Sequence, residues 1–551
     1  MRTFSIQTLG CKVNQYESEQ LAAVLRGHGL VQVEDPAEAD LRVVNTCSVT
    51  VQAASKSRQL VRRNLRQGRG GGRTPRRHPL PVIQSSVHTH PNDAPEPSTL
   101  SRTNLAELAG PPGGNSVGQR VLVTGCWATS DRAEAVRIAG SDAVLTHHED
   151  VAVQLNRLLT SWTSDCDDRS KKPNAITRYH TLEPPPSGPL GNDGWMNQAG
   201  IPAGQLTTDI KASPAISVNN ISGGAVVRNS PKVGTTSLPL LDERQTGHQR
   251  AFLKIQDGCD ARCTYCIIPS LRPRLWSKPV DAAVEEAKRL VAAGHMEIVL
   301  TGIFLGAYGR ATALRRRQDG ASGAPIADLI DALCTRVPGL RRLRLSSLEP
   351  GDLTPALVAA LKAHAQVVPH FHLPLQSGSD AILRRMNRQY TRDDYLRMID
   401  RVGEAFDRPA MTTDVIVAFP GETEREFRET MDVVDRARFV HVHAFPFSPR
   451  PGTAAARWKK DFVHGPVINE RINLLAAMSA GHGYAFRRQF AGEVVEVLVE
   501  RPGGRDGGLQ HGRCERYFAV HFEHPQALVG RSVRVRVERV TPARTFGVVV
   551  A

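Results

Sequence analysis

The stretch "AFLKIQDGCDARCTYCIIP", residues 251–269, decides how the rest of the chain is read. Its opening, "AFLKIQDG", is a strand-length run closed by Asp257-Gly258. Cys259, Cys263 and Cys266 follow at CxxxCxxC spacing. Thiolates are soft ligands that favour iron–sulfur clusters, zinc or copper(I). A structural zinc site takes four protein ligands, and this motif offers three. A four-iron four-sulfur cluster on three cysteines keeps one iron open for a substrate or cofactor. The cluster is the reading taken, because the triad follows a strand; structural zinc is the alternative.

From about residue 249 to 450, strands and helices alternate. "HMEIVLTG", "RRLRLSSLE", "HFHLPLQSG", "MTTDVIVAFPG" and "FVHVHAFPFS" are strand-like, with helical patterns such as "VDAAVEEAKRLVAAG" and "PIADLIDALCTRVPG" between them. Repeated βα units predict a closed or partly closed parallel barrel, whose chemistry belongs at the carboxyl ends of its strands. Polar and Gly-rich runs cluster there: "TGIFLGAYG", "SSLEPGD", "QSGSD" and "FPGETE".

Upstream, three more strand candidates each close on a cysteine. "FSIQTLG" leads to Cys11, "LRVVNT" to Cys47 and "RVLVTG" to Cys126. Helical patterns follow the first two, "NQYESEQLAAVLRGHG", with Leu21, Val24 and Leu25 on one face, and "TVQAASKSRQLVRRNLRQ". This alternation predicts a parallel sheet, with ligands outside the carboxyl ends of its strands, where all three cysteines sit. Downstream of about 488 the period changes. "EVVEVLVE", "RYFAVHFE" and "RSVRVRVERV" alternate apolar and polar residues, as half-buried antiparallel strands do. Val533, Val535 and Val537 are expected inside a small β-barrel, and Arg534 and Arg536 outside.

The expected organisation is an α/β protein in parts. Residues 1–161 form an N-terminal α/β domain carrying a Gly-, Pro- and Arg-rich insertion at 66–119. Residues 162–248 are a low-complexity linker, 249–487 the barrel, and 488–551 the small β-barrel. The chain of 551 residues carries 70 Lys and Arg against 55 Asp and Glu, a formal charge of +15. The first insertion holds six Arg against three acids and the second balances eight bases with eight acids, so most of the excess lies in the parts expected to fold. A basic folded body suits a polyanionic partner such as nucleic acid, though a basic soluble enzyme has the same composition. The terminal segment, with ten Arg against seven acids, agrees with nucleic-acid contact. Nine cysteines, an odd number, argue against a disulfide framework. No run of about 18 apolar residues predicts a membrane span. The amino terminus lacks an apolar signal core, so a cytoplasmic location is expected.

With the triad at 259–266 following a strand, the chain resembles the radical S-adenosylmethionine (SAM) superfamily. The resemblance implies that the open iron chelates the amino and carboxylate groups of SAM, and that reductive cleavage yields a 5′-deoxyadenosyl radical. It narrows further on "TLGCKVNQYESEQL", "VVNTCSVT", "VTGCWA", "HLPLQSGSD", "DVIVAFPGETE" and "FPFSPRPGTAAA", taken in this order. These resemble the methylthiotransferase family, over nearly the whole chain except the two insertions. That family implies a second four-iron four-sulfur cluster on Cys11, Cys47 and Cys126, and an RNA-binding TRAM domain as the terminal module. Its branches act on isopentenyl-adenosine in tRNA, on threonylcarbamoyl-adenosine in tRNA, or on an aspartate of a ribosomal protein. Lys12, Val13 and Asn14 look most like the threonylcarbamoyl-adenosine branch. The reaction implied is C–H to C–S–CH3 conversion at C2 of the modified adenine at position 37, in a tRNA anticodon loop. An electron donor and a sulfur source are the further partners; no membrane is expected.

The same resemblance places SAM contacts at Thr301 and Gly302, at Ser347 and Glu349, and at Gln376, Ser377 and Gly421. No residue is assigned as the catalytic acid or base. Tyr265 is read as shielding the cluster, packing on adenine, or plain local packing. His370, His372, His441 and His443 are read as packing or polar lining, and Cys166, Cys334 and Cys514 as non-ligands. Two departures stand out: "SLRPRLWSKP" replaces an Arg- and Gly-rich segment while keeping charge at Arg272, Arg274 and Lys278, and Phe304 stands where relatives carry Asn or His. A non-catalytic iron–sulfur RNA-binding or redox-sensing protein is the rival reading from another class.

Overall fold

The computed structural model describes residues 1–67, 119–139, 144–168, 238–241, 249–315, 324–501 and 509–550. Nearly all of the expected insertion 66–119 and most of 162–248 lie outside the described residues. The chain divides into two compact units, Met1–Leu158 with Gly234–Ala551, and Leu159–Val233. The first unit carries everything that follows.

It begins with β1 (Thr3–Thr8), α1 (Lys12–Gly27), β2 (Val31–Gln32), β3 (Leu41–Thr46), α2 (Val51–Gln67), β4 (Arg120–Gly125), α3 (Cys126–Ser130), α4 (Arg132–Ala139) and the start of α5 (Val151–Asp168). The strands form a parallel sheet in the order β2-β1-β3-β4. All six residues of β3 are buried, as a central parallel strand covered on both faces requires. In α1, Leu21 and Leu25 are buried and Val24 is half-buried, close to expectation. The side carrying Tyr16, Glu17 and Gln20 is buried as well, because this helix packs on two domains at once.

The barrel runs β5 (Arg250–Asp257), α6 (Ile268–Leu271), β6 (Trp276–Ser277), α7 (Val280–Ala292), β7 (Glu297–Gly302), α8 (Pro325–Arg336), β8 (Arg342–Leu345), α9 (Pro355–Ala363), β9 (His370–His372), α10 (Asp380–Arg385), α11 (Arg392–Ala405), β10 (Ala410–Val417), α12 (Glu424–Ala437), β11 (His441–Pro446) and α13 (Gly465–Arg488). Strands β5, β7 and β8 pair in parallel, as do β9, β10 and β11, and β6 lies antiparallel along β5. Single bridges, Leu343 to Val367 and Ser347 to His372, join the two sheets. Six parallel strands thus make an open barrel. Leu253, Ile255, Ile298, Leu300, Leu343, Leu345, Val415 and Val417 face the helices in one apolar core. The intervening residues of each strand face the lumen. Helices α11 and α12 each start with a capping box, Thr391 with Asp394 and Thr423 with Glu426.

The N-terminal domain spans the gap between the edge strands. Glu17 of α1 reaches Lys254 on β5 at 2.7 Å, and the Val51 amide donates to Ser448 Oγ, just past β11, at 3.0 Å.

The last module is a closed barrel of β12 (Val494–Arg501), β13 (Gln510–Cys514), β14 (Ala519–Phe522), β15 (Ser532–Val540) and β16 (Thr545–Val549), in the order β12-β13-β14-β16-β15. Val535 and Val537 are fully buried and Arg534 and Arg536 exposed, with Val533 packed at the core's edge. Strands β13 and β16 lack clean alternation in sequence. Gly512 and Gly547 explain part of this: a Cβ at either would meet the carbonyl oxygen of Leu498 or Arg536 within 2.3 Å. The module sits against the amino ends of the large barrel's strands. Arg342 donates to the carbonyls of Glu496 and Arg513, Arg250 donates to the Tyr517 hydroxyl at 2.8 Å, and Arg408 pairs with Glu493 at 2.8 Å.

Candidate active site

The three N-terminal cysteines follow their strands directly. Cys11 caps α1, Cys47 succeeds β3 and Cys126 opens α3. Asn14 ties the loops together: its Nδ2 donates to the carbonyls of Leu9 and Thr46, both at 2.9 Å. The thiols of Cys11 and Cys126 both lie 3.9 Å from Asn14 Oδ1. A Cβ on Gly10 would stand 3.2 Å from Cys47 Sγ, so that glycine lets Cys11 and Cys47 approach. Gly125, at φ 94°, is equally constrained, because a Cβ there would meet Asn45 Oδ1 and the Thr46 carbonyl within 2.4 Å. Burial pushes the Cys126 thiol up to about 12 and raises Cys47.

The second triad lies in the loop after β5. Gly258, at φ 79°, lets the chain pass the Arg274 carbonyl, from which a Cβ would be only 2.0 Å away. Gln256 is fully buried, donates to the carbonyls of Asp257 and Gly258, and accepts from the Phe304 amide at 2.7 Å. It thereby joins this loop to the one after β7. On the far side, Thr264 binds the carbonyls of Arg385 and Met386. Arg388 then brings a cation to the thiols, with Nη1 3.1 Å from Cys263 Sγ and 3.4 Å from the Tyr265 hydroxyl. Its other nitrogen pairs with Glu349. Burial raises Cys259 to about 11 and Cys266 to about 12. Soft donors, glycine-enabled close approach and a guanidinium on one sulfur suit a thiolate-ligated cluster.

A buried ion network lies between the two triads. Glu17 accepts from Lys254 Nζ at 2.7 Å and from Arg272 Nη1 and Nη2 at 2.7 and 2.8 Å. Asp257 accepts from the same two cations at 2.6 and 2.9 Å, and His147 lies 3.0 Å from Arg272 Nη2. The Arg272 carbonyl accepts the Cys259 amide, while its charge acts on Cys126. One residue therefore touches both triads' surroundings. A second clamp is built from Lys278, Glu286 and the Tyr16 hydroxyl. The segment "SLRPRLWSKP" thus supplies two of these interdomain cations, Arg272 and Lys278, beside Lys254 of β5, and only Arg274 of its three charged residues is exposed.

The expected SAM contacts fall into three groups. Thr301, Gly302, Ser347 and Glu349 gather at the carboxyl ends of β7 and β8, with Glu349 held by Arg388 and by the backbone amide that Asp352 accepts. Gln376 and Ala418 are non-glycine residues with positive φ, 63° and 60°, in the loops after β9 and β10; such backbone collects at functional sites. Ser377 points elsewhere: it is fully buried and its hydroxyl meets Thr430 of α12 at 3.3 Å. Gly421 is exposed at φ 83°, its amide donating to the Asp461 carbonyl, which fits a tight turn. Tyr265 packs edge-on against Phe419. His372 contacts Asp414 and Thr412, and His441 meets His443 edge-to-face, consistent with polar lining. Cys334 and Cys514 are buried apart from both triads, and the side chain of Cys166 lies outside those described. Among the described residues, no group of three or more His, Cys, Asp or Glu is set to hold a single metal ion.

Three family models match the chain: the radical SAM superfamily over residues 253–434, the uncharacterised protein family UPF0004 over 3–73, and the TRAM domain over 488–550. The threonylcarbamoyladenosine tRNA methylthiotransferase MtaB of Bacillus subtilis is 30% identical over 98% of this chain and 94% of its own. The tRNA-2-methylthio-N(6)-dimethylallyladenosine synthase of Frankia casuarinae is 32% identical over 96% of this chain and 77% of its own. The chain belongs to the radical SAM tRNA methylthiotransferases. Among solved structures, the cobalamin-bound radical SAM methyltransferase TsrM from Kitasatospora setae aligns with a TM-score of 0.46 at 12% identity, over 82% of this chain and 74% of that one.

As a radical SAM methylthiotransferase the protein is an enzyme that uses SAM and a four-iron four-sulfur cluster, and this settles the zinc alternative. None of its described helices is long and apolar enough to cross a membrane. Sequence reading of this methylthiotransferase missed Glu17, Gln256 and Arg388. Arg388 stands in "MNRQY", a run with no periodic or motif signal; its role appears only when the loop after β5 folds onto the segment after α10. Glu17 carried a usable signal, since it is an acid on the face of α1 next to Tyr16.

Proposed function

We propose that this methylthiotransferase converts threonylcarbamoyl-adenosine at position 37 of tRNA to its 2-methylthio derivative, using a second four-iron four-sulfur cluster. The observation that carries the two-cluster part is the convergence of both cysteine triads on Arg272 and the ion network around it. Cys259, Cys263 and Cys266 would hold the SAM-binding cluster, and Cys11, Cys47 and Cys126 the auxiliary one. When bound, these groups supply one-electron chemistry able to activate an aromatic C–H bond, sulfur, and a methyl group.

The chain's own residues do the rest. Arg388 donates to Cys263 and fixes Glu349 at the mouth of the barrel, where a SAM ribose would be accepted. Gln256 holds the loop after β7 against the triad, keeping Thr301 and Gly302 in reach of the same ligand. The N-terminal domain lies across the barrel's open side, tied to β5 by Glu17 and to the segment after β11 by the Val51 amide. The TRAM module presents Arg534 and Arg536 to solvent for the tRNA backbone. The substrate reading is supported by Lys12-Val13-Asn14 and by the likeness to the Bacillus subtilis enzyme. A cytoplasmic location, an electron donor and a sulfur source belong to the same proposal.

Nucleoside mass spectrometry of tRNA from cells with and without the gene tests the substrate. The 2-methylthio-threonylcarbamoyl derivative should disappear from the deletion strain, and an unchanged level refutes the assignment. Anaerobically reconstituted protein should bind about eight irons and a Cys263→Ala variant about four. Retention of SAM cleavage by that variant would contradict the cluster assignment.

A further inference from the structure

Six arginines are buried among the described residues. Arg272 meets Glu17, Arg342 and Arg344 meet Glu297, Arg471 meets Glu422 at 2.7 Å, and Arg42 donates to two carbonyls and the Gln119 side chain. Arg450 differs. It is 6% exposed, its Nε has no hydrogen-bond partner, and its guanidinium forms no ion pair among the described residues. A guanidinium taken out of water without an anion is costly, so an unmatched one marks a place built for an anion.

The chain around Arg450 fixes where that anion lies. Arg450 follows β11, in a segment that touches both cysteine loops. At one end, Ser448 Oγ accepts the Val51 amide at 3.0 Å, where α2 starts just beyond Cys47. At the other end, the Ala455 amide donates to the Thr264 carbonyl at 2.9 Å, inside the CxxxCxxC loop. Between them Thr453 closes a turn, its amide and hydroxyl donating to the Arg450 carbonyl at 3.1 and 2.8 Å. From the N-terminal domain, Ser57 of α2 holds Cys47 by its amide and its carbonyl, at 3.0 and 2.9 Å. Burial disfavours the charged form of Arg450, Cys47 favours it, and Arg58, the residue after Ser57, opposes it. Of these neighbours only Cys47 can carry negative charge. A neutral thiol does not balance a guanidinium, whereas a four-iron four-sulfur core held by three thiolates is anionic.

We propose that Arg450 is the charge partner of the auxiliary cluster on Cys11, Cys47 and Cys126, donating to a sulfur at the Cys47 corner as Arg388 does to Cys263 in the other triad. This rests on the two-cluster reading above and deepens it. Arg388 is already neutralised by Glu349, but Arg450 has no acid, so its whole charge acts on the auxiliary cluster and favours the cluster's reduced form.

The test uses the full chain, reconstituted anaerobically. In otherwise wild-type protein, Arg450→Gln should lower the thermal midpoint by about 2–4 °C or more, and about four irons should pass to a chelator about 10-fold to 100-fold more readily. In a Cys126→Ala protein, which holds about four irons at the other triad, the same substitution should raise the midpoint instead, because it removes a buried charge with no anion beside it. In a Cys263→Ala protein, where the auxiliary cluster is the one present, Arg450→Gln should move the reduction potential to more negative values in an EPR-monitored titration. Arg450→Lys should recover most of that shift. A midpoint that moves in the same direction with the auxiliary cluster present and absent overturns the proposal: down in both means a structural arginine, up in both means an anion other than the cluster. An unmoved potential overturns it as well, and that measurement decides if Cys126→Ala fails to fold. If wild type binds about four irons instead of about eight, the two-cluster reading fails and the proposal with it. About eight irons with either contrary result sinks the role of Arg450 alone.

Discussion

Replacing Glu17 by Gln probes the joint between the N-terminal domain and the barrel. The carboxylate accepts three hydrogen bonds, at 2.7, 2.7 and 2.8 Å, from Lys254 and Arg272. All three side chains are less than a tenth exposed. Burial pushes the Glu17 carboxyl up, but Arg272 and Lys254 outweigh it and hold it well below the usual carboxylate range. Breaking a buried, hydrogen-bonded pair costs about 3–5 kcal/mol. Asp257 still faces both cations, at 2.6 and 2.9 Å, and a glutamine oxygen accepts one bond. The low end, about 3 kcal/mol, is therefore expected. For a domain of about 150 residues this lowers the midpoint of the transition that frees the N-terminal domain by about 6–12 °C. Scanning calorimetry reads the shift, and hydrogen exchange locates it in α1 and the segment 270–278. In a cycle with Arg272→Gln, the double variant should lose at least about 2 kcal/mol less than the two single losses combined. The sign with pH follows from the depressed carboxyl: its stabilisation is present above the unfolded value near 4.5 and is lost as pH falls through the lower folded value. The gap between wild type and Glu17→Gln should therefore narrow below pH 4.5. Additive single effects, or a midpoint unchanged within about 1 °C, would refute the clamp.

Glu297 is lowered to about 2, burial being outweighed by Arg344, Arg250 and Arg342; acid titration should remove on the order of 3 kcal/mol between about pH 4.5 and 2, and an Arg344→Gln variant, which keeps Arg250 and Arg342, should show a weaker dependence. Gly125→Ala forces a side chain into the left-handed region and against Asn45 and Thr46. It should cost more than about 2 kcal/mol and release about four irons, whereas Gly403→Ala, in the open on α11, should add about 1 kcal/mol and keep all iron. Arg388→Gln removes a cation from Cys263, so the SAM-binding cluster's reduction potential should move to more negative values in an EPR-monitored titration. RNA affinity should fall with salt at about −0.7 per single-strand phosphate contact, and a salt-independent affinity would count against the TRAM surface.

Chemistry that depends on neighbours in the chain was legible before folding. Three thiols in eight residues after a strand, and Gly10-Cys11 or Gly125-Cys126 at strand ends, carry their meaning locally, because a strand end, a positive φ and a soft ligand each need only a few residues. The alternation of strands and helices sufficed for the barrel, and alternating Val and Arg for the terminal module. Less regular strands such as Gln510–Cys514 were opaque, since their glycine answers to a partner strand's backbone and leaves no periodic pattern.

The position of a side chain relative to distant chain was decided only by tertiary structure. Ser377, read in sequence as a pocket residue, makes the contact between the loop after β9 and α12. Arg272, read as retained charge in an altered loop, meets Glu17 across 255 residues of chain. The amino acids alone determined which ligands and folds this protein has available. Which cations end up paired, and that both ring nitrogens of His370 are left without hydrogen-bond partners among the described residues, followed from packing distant parts of the chain around one lumen, where burial makes each unmatched polar group costly.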